Sequence, residues 1–300
     1  MGEAAAGWLM LGVVLHLGNQ VTRGRGWYAI LHTASDCAPR RRDAIAAWIA
    51  GAGAGGLVSA RGGDAVRVLL LRRRVPDAGC PLLAGTLVAE GAGEIAGGAL
   101  LLALAVAIGV GPELGAAPAV PVALAVAGTL VVLVALMRRS PRLRRIAAGI
   151  GRGCAPLRAP GAYARGVLPW QLASRACRLG SLACFLAAFS LPASFAAVLL
   201  VAFAQGGGRL VPFAPASVGA SVALLAAGFG PVTGSAVAPE RLAAFLIGTS
   251  TVLTVVGIAL ALAICLRSQA SASRGRSVRT VLAEVTGRSA IARAATIPAP

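Results

Sequence analysis

The chain has 300 residues, 57% of them hydrophobic, and a mean hydropathy of +0.81. The apolar residues fall in blocks of about 20, the length of helix that crosses the hydrocarbon core of a bilayer, which excludes an ordinary soluble domain. The net charge is +18 and every basic residue apart from two histidines is arginine. Those arginines gather between the apolar blocks, so nucleic acid is set aside as a partner and anionic lipid headgroups at the cytoplasmic face take its place.

In chain order, the first span is expected at 4–21, followed by the basic segment 22–43. Residues 44–71, AIAAWIAGAGAGGLVSARGGDAVRVLLL, begin as an apolar helix and then break into a Gly-rich loop carrying arginine. A second span occupies 81–109, and a connecting span, 119–137, follows the short acidic loop GVGPELGAAP. The basic run 138–165 leads to a span at 168–191. Residues 193–229 repeat the break at GGGRLVPFAPASVG, where Pro212 and Pro215 preclude a regular helix. The last span, 241–266, precedes a Ser- and Arg-rich tail, 267–300, expected to be disordered or to lie on the inner leaflet. No cleavable signal peptide is expected, because the N-terminal flank of the first block carries Glu3 and no arginine. The six cysteines form no CxxC pair and lie near no histidine at ligand spacing, so neither a metal nor a disulfide framework is expected, and no cofactor.

Charge then orients the spans. Five arginines lie in 22–43, five in 61–80, eight in 138–167 and six in 267–300, whereas the loops 1–3, 109–118 and 230–241 hold only Arg241. The arginine-rich group is cytoplasmic by the positive-inside rule, which puts the N-terminus outside and the C-terminus inside. Both flanks of 44–71 are then cytoplasmic and both flanks of 193–229 external, so each segment enters and returns, from opposite faces. The expected fold is an all-α integral membrane protein of the plasma membrane, a polytopic helical bundle. It has two re-entrant hairpins in an inverted-topology repeat, with halves at 4–109 and 168–266. The rival topology, two full crossings per broken segment, would put Arg61 to Arg74 outside, against the charge rule.

Several residues in these segments could carry chemistry. Arg61, Asp64 and Arg67 facing lipid would each cost about 2.5–3.5 kcal/mol, so they must face protein, water or ligand. Asp64 can cap the helix that follows, and Asp64 and Arg67 share a helical face at i, i+3. Two guanidiniums beside a helix N-terminus suit phosphate; the alternative is a loop at headgroup level touching lipid without turnover. Glu90 and Glu94 share a face at i, i+4, about 14–20 Å into their span, where apolar surroundings disfavour ionisation of both. They suit proton coupling or a cationic headgroup, or form a structural set neutralised by Arg61, Arg67, Arg175 or Arg178. Snorkelling accounts for Arg175 and Arg178. Arg209 follows three glycines and is the second hairpin's counterpart to Arg61. His16 and His32 have no evident partner.

These residues resemble a family. RGRGWYAIL resembles the Arg-Trp motif of the lysylphosphatidylglycerol synthase transmembrane-region family, a flippase-like group, and ARGGDAVRVLLLRR resembles its Pro-x-Arg-x-Gly-(Glu/Asp)-x-x-Arg stretch. LVAEGAGE sits where that family has a Glu-containing helix. VPFAPASVGAS, with Pro212, Pro215 and Gly219, resembles its Pro-x-x-Pro-Gly-x-x-Gly pattern. Ser59 stands where the family has Pro, and Ser221 near its second-half acidic position. The likeness spans about 10–266 and implies movement of a membrane phospholipid or glycolipid between leaflets; with no synthase domain following, lipid aminoacylation is not expected.

The expected function is therefore that of a membrane lipid translocase, not an enzyme, acting on an anionic or modified headgroup. One alternative is a non-transporting membrane partner of an enzyme of lipid or glycan synthesis. Another is an intramembrane polyprenyl-diphosphate phosphatase, whose ExxxE signature Glu90 and Glu94 match but whose phosphate loop is missing.

Overall fold

The computed structural model describes residues 3–34, 39–57, 60–75, 78–107, 140–208, 214–235 and 237–294, and among these every regular element is helical. The expected connecting span at 119–137 lies outside the described residues. Helices satisfy their own backbone hydrogen bonds, which lipid demands of anything that crosses it.

The first helix, α1 (Glu3–Ala34), does not stop at Val21. Residues 22–34 of the segment read as a basic loop are its second half, because Trp27 and Ile30 are fully buried there and Arg23 finds a carboxylate inside the protein. Helices α2 (Arg41–Leu57) and α3 (Ala60–Arg74) form the first hairpin. Here the sequence reading needs correction: the arginine-bearing Gly-rich stretch is not a loop but the start of α3. Gly62, Gly63 and Asp64 are helical, so Asp64 sits one turn inside α3 and does not cap it. Close approach explains why glycine is tolerated. A β-carbon on Gly51 would run into Arg67 and the Gly63 carbonyl, so α2 and α3 meet backbone to backbone.

Helix α4 (Cys80–Ala107) follows as expected. The basic run then folds as α5 (Pro141–Gly153), a 3₁₀ turn at Ala155–Arg158 and α6 (Pro160–Gly166). The Ser140 side chain caps α5 by accepting from the Leu143 N–H at 3.5 Å, with Pro141 at the first helical position. Helix α7 (Leu168–Ala188) lies antiparallel to α1: Ser181 Oγ donates to the Gly12 carbonyl at 2.8 Å near one end, and the Arg25 guanidinium lies 4.5 Å from the Trp170 ring centre near the other. Ser190 (φ 54) turns the chain out of α7, with the Leu191 N–H on the Leu186 carbonyl at 2.9 Å, a Schellman closure.

Helices α8 (Phe195–Gly208) and α9 (Ala214–Thr233) form the second hairpin, tied by Ser221 Oγ donating to the Ala204 carbonyl at 2.9 Å. Pro215 does not preclude a helix. It falls in the first turn of α9, where no N–H is required. The last helix, α10, spans Pro239–Ala294, and its Pro239–Arg267 part is long and apolar enough to cross a membrane, at mean hydropathy 2.3.

Two cores result. Phe185, Leu186, Leu199, Val201, Leu225 and Phe245 bury the second hairpin between α7 and α10. Trp27, Leu31, Trp48, Leu71 and Leu83 fill the space between α1 and the first hairpin with α4. The C-terminal helix ties back to the N-terminal part of the chain: α10 packs on α2, with a β-carbon on Gly53 entering the Gly257 carbonyl.

Candidate functional site

Four helices converge on a group of opposite charges. Arg23, on the C-terminal half of α1, donates from Nη2 to Glu90 Oε1 at 2.7 Å and from Nε to the same oxygen at 3.2 Å. Arg23 Nη2 also lies 3.5 Å from Glu94 Oε2. From α7, Arg175 reaches Glu94 Oε1 at 3.8 Å and donates to the Glu94 backbone carbonyl at 2.6 Å and the Gly93 carbonyl at 3.4 Å. The missing side chain at Gly97 makes room for the Arg175 guanidinium. From α3, Arg67 Nη1 donates to Asp64 Oδ1 at 2.7 Å.

An aromatic side chain joins the two parts. The fully buried Trp48 of α2 has the Arg67 guanidinium 3.8 Å from its ring centre and that of Arg23 at 5.0 Å, so its π-electrons serve both cations. Its indole N–H donates to Gln20 Oε1 at 3.2 Å, and Gln20 Nε2 lies 3.2 Å from His16 Nε2. Trp27 packs against Trp48 at 5.8 Å between ring centres and donates to Thr86 Oγ1 at 3.0 Å. Further along, Gln171 Nε2 donates to the Tyr163 hydroxyl at 2.8 Å, and that hydroxyl lies 3.5 Å from the Ala89 carbonyl.

The charges sit deep. Glu90 and Glu94 follow the start of α4 by about 15 and 21 Å at 1.5 Å per residue, and side-chain exposure is 20% for Arg23, 10% for Glu90 and 18% for Arg175. Arg67 is within electrostatic reach of Glu90, and Asp64 of Arg23. Arg23, Arg67 and Arg175 are therefore balanced by Asp64, Glu90 and Glu94, so the group carries no net charge when all are ionised. Balance of this kind is what allows Arg23, Arg67, Arg175 and Glu90 to remain largely away from water. Outside the spans, burial pushes the Cys154 thiol up against the opposing pull of Arg158.

Of the residues singled out in the sequence, the structure brings Asp64, Arg67, Glu90 and Glu94 together. The shared faces of Asp64 with Arg67 and of Glu90 with Glu94 are both present. Arg175 does not snorkel: it turns inward to Glu94, because the glycines of α4 open a path to its carbonyls. His16 has a partner in Gln20 after all. Gly219 is exposed, with nothing within 4 Å of a β-carbon built on it. The Arg61 side chain, the Pro215 ring, Arg209 and Pro212 lie outside the described residues. Arg23, Trp48 and Gln20 were missed. Arg23 stood in plain view within RGRGWYAIL, but hydropathy ends the first span at Val21 and so makes it a loop charge. Trp48 is a lone aromatic in an Ala- and Gly-rich helix, and nothing local assigns it a cation.

A family model described as lysylphosphatidylglycerol synthase TM region matches residues 3–261. No curated protein and no solved structure matches.

Proposed function

The chain belongs to the lysylphosphatidylglycerol synthase TM region family and is a helical membrane protein, and from that premise we propose that it is a lipid translocase, not an enzyme, passing an anionic or modified lipid headgroup between the leaflets of the plasma membrane. The observation that carries the reading is the buried cluster of Arg23, Arg67 and Arg175 with Glu90 and Glu94. Ionisable side chains this deep in a membrane helix bundle are expensive, and they mark substrate paths more often than lipid-facing positions. Guanidiniums fit phosphate through paired N–H donors. In the resting protein the carboxylates hold those donors in place and offset their charge, so an arriving headgroup exchanges one anionic partner for another and does not have to enter a bare positive site.

The two hairpins supply the proposed movement. Among the described residues α3 and α8 run for 15 and 14 residues and α9 for 20, against the roughly 20 that a full crossing needs, so the reading of hairpins that enter and return rests on the charge of their flanks. With arginine-rich flanks around the first and arginine-poor flanks around the second, they would dip from opposite faces. The N-terminus would then be outside, the C-terminus inside, and the halves 4–109 and 168–266 would form an inverted repeat. Rocking of one half on the other would expose the cluster to each leaflet in turn. Exposed Arg142, Arg144 and Arg145 on α5 would face the anionic inner leaflet.

The test is headgroup translocation in liposomes holding the purified chain and a fluorescent phosphatidylglycerol. Wild type should accelerate loss of leaflet asymmetry, and Arg67→Ala and Glu90→Ala should abolish most of that acceleration in protein that still melts cooperatively. Equal rates in all three would discard the reading. The short Arg23–Glu90 contact favours a second one, a structural ion-pair network in a non-transporting partner of a membrane enzyme. Co-purification of a stoichiometric enzyme, without translocation by the chain alone, would support it.

A further inference from the structure

Between α3 and α4 lies an open cleft of about 580 Å³, lined from α3 by Asp64, Val68 and Leu69 and from α4 by Ala84, Leu87 and Val88. Its walls are otherwise apolar apart from the Cys80 thiol at the turn, so Asp64 is the one charged group in the lining. Leu69 and Val88 are 56% and 54% exposed, so the rim of the cleft has the character of a lipid-facing surface. Asp64 and Val88 stand at similar distances from the turn that joins the helices, about 15 and 12 Å by helical rise. The cleft therefore opens sideways at a depth where lipid tails would lie if α4 crosses the bilayer.

Asp64 is an unusual residue to find there. Its side chain is half exposed, whereas that of its partner Arg67 is 15% exposed and stacked on Trp48. A carboxylate facing hydrocarbon at such depth costs about 2.5–3.5 kcal/mol on insertion scales. That cost falls if the carboxylate sits in a hydrated cleft and neutralises a guanidinium behind it. Asp64 thus holds the position in front of Arg67 that a phosphate entering from the cleft would need.

We propose that the α3–α4 cleft is a lateral portal for a phosphate-bearing lipid, and that Asp64 is an internal stand-in for the headgroup, displaced from Arg67 Nη1 when lipid loads. The acyl chains stay between Leu69 and Val88 while the phosphate takes over the donor that Asp64 held. The proposal rests on the translocase reading for its purpose, but its geometry concerns loading alone. Asp64 is then a specificity-determining residue, because only a ligand that outcompetes a carboxylate gains the site.

The experiment measures loading and transport separately, on the full chain in nanodiscs and in liposomes. Asp64→Asn should raise retention of phosphatidylglycerol over a phosphate-free galactosyl diacylglycerol about tenfold, the order expected when one charge-assisted hydrogen bond is freed for a ligand. Adding Arg67→Gln should cancel the gain. Glycerol 3-phosphate, which carries a phosphate but no tails, should not compete. Unchanged or weaker phosphatidylglycerol retention in Asp64→Asn, or full competition by glycerol 3-phosphate, overturns the portal. If Asp64→Asn fails to fold, Val88→Cys at the exposed rim serves instead: phosphatidylglycerol should slow its alkylation relative to the phosphate-free galactosyl diacylglycerol, and equal rates overturn the proposal. Loading as described without translocation by wild type would sink the translocase reading and leave the portal standing; translocation with no effect at Asp64 or Val88 would do the reverse.

Discussion

Arg23 and Glu90 are 67 positions apart in the chain and 2.7 Å apart in the fold. Among the described residues Arg23 is the only cation within 4 Å of Glu90, whereas Arg23 itself has a second carboxylate, Glu94, at 3.5 Å. The pair is therefore asymmetric. Removing one partner of a buried ion pair costs about 3–5 kcal/mol when the other is stranded. Arg23→Met strands Glu90 and should approach that figure. Glu90→Gln leaves Arg23 with Glu94 and should cost clearly less. Thermal or denaturant unfolding in detergent would measure both, and an equal loss would contradict the asymmetry.

Trp48 has two guanidiniums at its ring and contributes through both. Desolvated cation–π contacts contribute about 2 kcal/mol or more each, so Trp48→Leu should destabilise the protein by more than its lost packing, and Trp48→Phe should keep part of the difference. A double-mutant cycle between Trp48→Leu and Arg67→Met, read by unfolding, should give a favourable coupling. Additive losses would argue that the stacking is incidental.

Two glycines should behave in opposite ways. A β-carbon at Gly53 meets the backbone of Gly257, which cannot move without separating α2 from α10, so Gly53→Ala should destabilise by about 1–3 kcal/mol. A β-carbon at Gly97 meets only the end of the Arg175 side chain, which can swing away. Gly97→Ala should therefore leave the melting temperature nearly unchanged, since alanine favours helix by about 1 kcal/mol, while it breaks the contacts of Arg175 with Glu94. Melting curves of the two variants side by side would decide this; a large loss at Gly97 would mean that Arg175 is held rigidly.

Hairpin topology can be read from the two sides of the membrane. Single-cysteine variants at Ser59 and Ser217, in a background without the native cysteines, should label with a membrane-impermeant maleimide only after access to opposite faces, or through a wet cavity from opposite faces. Labelling of both positions from one side would refute hairpins that enter from contrary directions.

Much of this was legible in the order of residues. The apolar blocks gave the helical membrane architecture, and local motifs gave the family, since ARGGDAVR and LVAEGAGE need no partner to be recognised. Helical periodicity alone put Asp64 with Arg67 and Glu90 with Glu94, because residues three or four apart share a face wherever the helix goes. Hydropathy misjudged Arg23 and the glycines before Asp64 for a single reason: it scores each residue as though it faced lipid. In the fold Arg23 faces a carboxylate, and Gly63 faces the backbone of α2.

What only the tertiary structure decided is which faces meet. Nothing in one sequence says that α1 turns Arg23 toward α4, that Trp48 lies beside two cations from different helices, or that Arg175 reaches past Gly97 to the α4 carbonyls. Those pairings depend on how whole helices pack, and packing is set by the sum of many apolar contacts spread along the chain. The local pattern fixed the apolar body of the helices and the charged faces of α3 and α4; the packing of whole helices, with glycine at Gly51 and Gly97 making room for Arg67 and Arg175, chose the partner for each charge.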